Sequence, residues 1–256
     1  MGLAAAALAV VVGCGESGDD AETIESAVTT ENSLAANSLA ANSLAANSLA
    51  ANSLAANSLA ANSLAANALV ASALRDPLAR QLLKYVVSCA LDADDGVSIR
   101  IEGKRYDFPG ELGLAPEWGR AHGSCDGECQ RWVSACVLAR VDAAGKKRII
   151  SLRGDTPALR PDRNELQRFT DREATYYGNL FVHDRPLFAC LSPDKTEDPR
   201  VCGDSLADCP MTVVGACDDA CRDMGPYGDF EDCSDRGRAR RGTIYHEAIT
   251  VFLPKK

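Results

Sequence analysis

Ten cysteines crowd into one stretch of this chain, from Cys89 to Cys233, and they constrain its fold more than anything else in it. They are Cys89, Cys125, Cys129, Cys136, Cys190, Cys202, Cys209, Cys217, Cys221 and Cys233. An even number at this density reads as a disulfide framework, and disulfides persist in oxidising compartments. The spacing alone leaves the pairing open. An eleventh cysteine, Cys14, stands apart near the start.

Charge divides the chain at the same place. Residues 1–74 hold six acids and no Lys or Arg, so 27 basic residues and 30 acids fall in the remainder. The C-terminal part is close to neutral with both signs mixed, an ordinary surface for an independent domain. It has no basic footprint for nucleic acid.

The opening run MGLAAAALAVVVG is apolar and uncharged. It is shorter than the roughly 20 residues a spanning helix needs, and its length suits the apolar core of an export signal. Val11-Val12-Gly13-Cys14 resembles the bacterial lipobox. That resemblance implies cleavage before Cys14, acylation of its sulfur, and a domain anchored by lipid. The run lacks the basic residue that usually begins such a signal. Gly15 after the cysteine, in place of Asp, favours the outer membrane by the same resemblance. Lipidation of Cys14 would leave ten cysteines to pair.

Residues 14–31 are acidic and polar, expected to form a flexible leader. From Asn32 the unit NSLAA repeats seven times without an error, and a weaker copy extends the block to Ala71. A five-residue period advances a helix by about 140° beyond a full turn, so successive Leu residues scatter and no docking stripe forms. In a strand the odd period sends them to alternate faces. The block resembles pentapeptide-repeat solenoids in period and in its single Leu, but Ser, not Asn, precedes that Leu. Eight units give little core to stack. Helix, solenoid and disorder stay open, and each makes residues 32–71 a spacer.

Residues 72–256 carry complex sequence and read as an α+β domain, with two or three helices and a small antiparallel sheet. Asp76-Pro77 starts a helix with Leu78, Leu82, Tyr85, Val86 and Cys89 on one face. The acidic turn Asp92–Gly96 ends it. Val97–Glu102 and Arg105–Phe108 read as a hairpin. A second helix is expected over Asp126–Ala139. Its stripe of Cys129, Trp132, Val133, Cys136 and Val137 points both cysteines at the core. Turn residues over Asp142–Lys146 precede a strand at Arg148–Leu152. Short buried strands are expected at Tyr176–Phe181 and Pro186–Leu191, and one closing strand over Thr243–Leu253. The cysteines from Cys202 to Cys233 sit among Asp and Gly, which reads as loop held by disulfides.

The candidate chemistry is thin. Cys125-x3-Cys129, with His122 nearby, and Cys217-x3-Cys221 approach metal-ligand spacing, but zinc sites favour two-residue spacing. In an exported chain these cysteines read as disulfides. Asp92 and Asp94 fit an EF-hand start, yet Gly96 falls one place early and position twelve is Gly103. Asp218, Asp219, Asp223, Asp229, Glu231 and Asp232 form an acidic stretch with adventitious calcium as its only metal prospect. His122, His183 and His246 lie in no nucleophile motif, although His122 neighbours Ser124 and His183 neighbours Asp184. Arg153-Gly154-Asp155 reads as a strand end and a turn. No cofactor, metal site or catalytic set is expected.

Three features together resemble a loose group of lipoproteins from myxobacteria. They are the Ala-Asn-Ser-Leu repeats after a lipobox, the segments DPLARQLLKYVVSCAL and CQRWVSACVLARV, and the cysteine-rich end. The resemblance implies location and layout and brings no activity. The expectation is a lipid-anchored envelope protein whose stapled domain binds a protein or glycan. The alternatives are a secreted hydrolase with a site built from scattered residues, or a purely structural envelope protein.

Overall fold

The computed structural model describes residues 27–30 and 74–255, apart from 76, 121, 143–147, 183, 194, 196–210 and 238–241. Cys14, the repeat block, Asp76, His183, Cys202 and Cys209 lie outside the described residues, as does most of the expected turn at 142–146.

The domain is mixed α+β. Its first helix, α1 (Pro77–Ala90), turns Leu82, Tyr85, Val86 and Cys89 into the core. Arg80 donates through Nη1 to the carbonyls of Leu74 and Arg75, holding the entering chain. Strands β2 (Gly96–Ile101) and β3 (Lys104–Pro109) form the expected hairpin. Its two-residue loop, Glu102-Gly103, has positive φ at both positions, the turn whose twist suits a tight hairpin.

Helix α2 (Gly127–Ala139) begins at Asp126, whose carboxylate accepts from the Cys129 amide at 2.9 Å. This cap satisfies one of the orphan amides of the first turn. The cysteine stripe on α2 only half fulfils its expectation. Cys136 is fully buried and bonded to Cys89, stapling α2 to α1. Cys129 is half-buried and bonds back to Cys125, in the loop that leads into α2. It sits in the first turn, where the helix has only just reached the core.

One sheet of six strands organises the rest, in the order β1-β4-β11-β5-β6-β7. The strands are β1 (Ala27–Thr30), β4 (Arg148–Arg153), β5 (Phe169–Gly178), β6 (Leu187–Leu191), β7 (Thr212–Ala216) and β11 (Ile249–Pro254). All neighbours are antiparallel except β6 and β7, which run parallel. A short helix α3 (Arg163–Arg168) leads into β5, capped by Asp162 onto the Glu165 amide.

Strand alternation gives this sheet two different faces. Tyr176, Ala189 and Leu191 enter the main core with α1 and α2, where Trp118 meets Phe181 edge-on at 5.5 Å. Tyr177, Phe188 and Cys190 point the other way, into a second core. That core is roofed by a three-stranded sheet of β8 (Cys221–Met224), β9 (Phe230–Ser234) and β10 (Ile244–Tyr245), with a one-turn helix α4 (Cys217–Ala220).

Three expectations change here. Between Met211 and Ser234 the chain is mostly strand, not loop, because pairing to the sheet and within β8–β9 supplies the order that its polar sequence conceals. The closing strand is two strands: β10 joins the roof and β11 the main sheet, with a break at His246–Ala248. The expected strand at Tyr176–Phe181 is the end of the longer β5, and it stops at Gly178, whose φ of +129° turns the chain away.

A fourth change concerns the acidic leader. Residues Ala27–Thr30 form β1 and pair with β4, Val28 opposite Ile150. Val and Thr favour strands, and here they cover the edge of β4 opposite β11, from Arg148 to Ser151. Residues 31–73, repeat included, therefore run between two elements of one domain.

Candidate functional site

The C-terminus of α1 leaves carbonyls without intrahelical partners. An extended strap after β3 satisfies them in series. The amides of Leu112, Leu114 and Ala115 donate to the carbonyls of Ser88, Cys89 and Ala90, and those of Glu111 and Gly113 both reach Leu91, all within 2.7–3.0 Å. Gly110 begins the strap so close to Leu91 and Asp92 that a Cβ there would collide with backbone. Packing of this kind places Glu111 directly above α1.

On α1, Lys84, Tyr85 and Ser88 share one helical face. Arg140, the C-cap of α2, reaches across to them. Its Nη1 donates to Ser88 Oγ at 2.7 Å, its Nη2 lies 3.1 Å from Glu111 Oε2, and its guanidinium sits 5.0 Å from the Tyr85 ring centre. Ser88 in turn donates to Glu111 Oε2 at 2.5 Å. The three side chains close a triangle in which the serine hydroxyl accepts from a cation and donates to an anion. The Arg140 side chain is 6% exposed and that of Glu111 39%, so the triangle has a buried corner and an open one. Arg140 Nε is buried without a hydrogen bond among the described residues.

A cavity of about 380 Å³ opens over this triangle, lined by Lys84, Tyr85, Ser88, Pro109, Gly110, Glu111 and Arg140. Buried charge is retained only where it is paired, and here the pairing fixes both the arginine and the hydroxyl. The lining offers a cationic amine, a carboxylate and ordered hydrogen-bonding groups to a compact polar ligand. Neither His122 nor His246 is part of it.

None of these residues was singled out as a site in the sequence. Only the odd position of Arg140, a charge ending the apolar stripe VSACVLA, marks the place.

The sequence candidates lie elsewhere. Cys190 bonds Cys217, and Cys221 bonds Cys233. Cys217-x3-Cys221 thus spans two disulfides. The Sγ atoms of Cys190, Cys217 and Cys221 lie within 4.8 Å of one another, yet all are held in disulfides and offer no thiolate to a metal. The acidic stretch is dispersed: Asp218 and Asp219 are exposed on α4, while Asp229 is 1% exposed. Burial pushes the Asp229 carboxyl above its ordinary range, with Asp155 adding to the effect. Asp92 forms the turn that ends α1, accepting from the Asp95 amide. Arg153 is 3% exposed and donates to Ser151, Tyr227 and Phe169, so of the tripeptide it begins only Asp155 is exposed. His122 is exposed, and exposed His246 is paired through Nδ1 with Asp232 at 2.5 Å.

The eight cysteines paired among the described residues fit an exported protein. Among the described residues no helix is long and apolar enough to cross a membrane. No protein-family model matches the chain, and neither a curated protein nor a solved structure matches it.

Proposed function

We propose that the chain is an exported envelope protein, lipid-anchored at Cys14, whose disulfide-stapled domain binds a compact polar group of a protein or glycan in the cavity beneath Glu111. The observation that carries this reading is the Ser88–Glu111–Arg140 triangle. It is an ordered, charge-compensated set of polar groups lining an open cavity, held by a strap and by the Cys89–Cys136 disulfide. Order before binding lowers the entropy a ligand must overcome.

The lipid end of the proposal rests on Val11-Val12-Gly13-Cys14 and on the separation of Cys14 from the other cysteines. With β1 in the sheet, residues 15–26 link the anchor to the domain, about 40 Å at full extension. The NSLAA block follows β1 in the chain, so it does not lie between the anchor and the sheet and no longer sets the distance to the membrane. An outer-membrane address remains part of the proposal.

Two experiments test the reading. Resonance shifts of the isotopically labelled protein would be followed on adding soluble cell-wall glycan fragments, and separately short peptides. Shifts at Lys84, Ser88, Gly110 and Glu111 that the Lys84→Glu variant loses support it. Shifts confined to other surfaces, or none with either probe, refute it. A clickable fatty acid fed to expressing cells should label the wild type and not Cys14→Ala; equal labelling of both sinks the anchor.

A further inference from the structure

The two disulfides of the second core touch. Cys190 Sγ and Cys221 Sγ are 3.6 Å apart although each is bonded elsewhere, Cys190 to Cys217 and Cys221 to Cys233. The cause is local. Cys217 opens the one-turn α4 and Cys221 is its C-cap, so a separation of four residues brings both over the same spot. Cys190 rises to meet them from β6 in the main sheet. All four cysteines are buried among Tyr177, Phe230 and Tyr245. Among the described residues, no other disulfide joins the cluster.

The geometry points to a single redox unit, in which a thiolate at Cys221 attacks Cys190 and moves the bond from Cys190–Cys217 to Cys190–Cys221. A dithiol reductant first converts Cys221–Cys233 to two thiols and is itself oxidised to a disulfide, a transfer of two electrons. Cys221 then loses its proton and its sulfur bonds to Cys190 Sγ. The Cys190–Cys217 bond breaks, its electron pair leaves on Cys217, and Cys217 takes up a proton. The exchange step moves no net electrons, and its attacking species is the thiolate. Its product staples β6 directly to β8 and frees α4 from β6. The two electrons that enter at Cys221–Cys233 thus end as thiols at Cys217 and Cys233. This inference stands apart from the cavity and from the anchor.

Cys233→Ser is the direct test, because it leaves Cys221 as a thiol without any reductant. The purified variant would be acid-quenched, alkylated and mapped by mass spectrometry without reduction. Label on Cys217 together with a Cys190–Cys221 cross-linked peptide is the expected result. Label on Cys221 alone, with Cys190–Cys217 intact, overturns the inference. The mirror variant Cys221→Ser should carry label on Cys233 only, and label on Cys190 or Cys217 there also counts against it. Should Cys233→Ser not fold, the wild type is titrated with dithiothreitol until this cluster has taken up two electrons. Label on Cys217 and Cys233 supports the exchange; label on Cys221 and Cys233 with Cys190–Cys217 intact overturns it.

Discussion

Arg140 donates from Nη1 to the Ser88 hydroxyl at 2.7 Å, joining the C-cap of α2 to the face of α1 across 52 residues of chain. Replacing Arg140 by Met removes this bond and the contact with Glu111, leaving a buried hydroxyl short of a donor. A loss of about 1.5–3 kcal/mol is expected, the range for hydrogen bonds to a charged group. Glu111→Gln, at the exposed corner, should cost about 1 kcal/mol. Urea midpoints without reductant measure both, and equal losses would contradict the buried and open corners of the triangle.

Asp229 predicts a pH dependence of opposite sign to that of most carboxylates. Burial raises its folded-state pKa, and the backbone amides of Asp229 and Tyr227, with Arg153 behind them, only partly offset this. Between the unfolded value near 4 and the raised folded value, the native state holds the proton more tightly. Stability from this group therefore falls as pH rises through that window, and the deficit stays constant above it. Relative to wild type, Asp229→Asn should gain stability as pH rises from 4 to 7. Urea midpoints at half-unit intervals would show it, and a constant difference between the two proteins would refute it.

The disulfides differ in the loops they close. Cys89–Cys136 spans 47 residues and Cys125–Cys129 only 4. Chain entropy assigns about 4 kcal/mol to the first and about 2 kcal/mol to the second. The double alanine variants should unfold in that order by urea titration, and the reverse order would show that the helix staple contributes no more than the local one.

The register of β1 makes a local prediction. Among the described residues Ile149 and Ile150 pair only with β1, whereas Leu152 and Arg153 pair with β11. Deleting residues 1–31 should accelerate amide exchange by about tenfold or more within 148–150. Exchange at Leu152 and Arg153 should stay within twofold. Unchanged exchange at 148–150 would remove β1 from the sheet, and with it the argument that the repeat does not set the distance to the membrane.

Local signals located most of the elements. The alternation of Val97–Glu102 and the 3.6-residue stripes of α1 and α2 act within a few residues, so they can be read from spacing, whereas the Asp126 cap and the Glu102-Gly103 turn lay inside the expected elements. The strands of Met211–Ser234 were missed because polar and acidic residues mask segments whose order comes from partners distant in sequence. The cavity was missed for a similar reason. Lys84, Glu111 and Arg140 are ordinary surface residue types, and nothing in their neighbours marks them as a set.

The amino-acid sequence by itself determined the two long helices and the hairpin, and a cysteine content that fits an oxidising compartment. Each of these follows from composition or short-range periodicity, which needs no knowledge of where the chain returns. The tertiary structure decided which cysteines pair, that the leader supplies an edge strand, and that Ser88, Glu111 and Arg140 meet. Those outcomes depend on which face of the six-stranded sheet each segment covers, and such long-range closure leaves no periodic trace in a single chain.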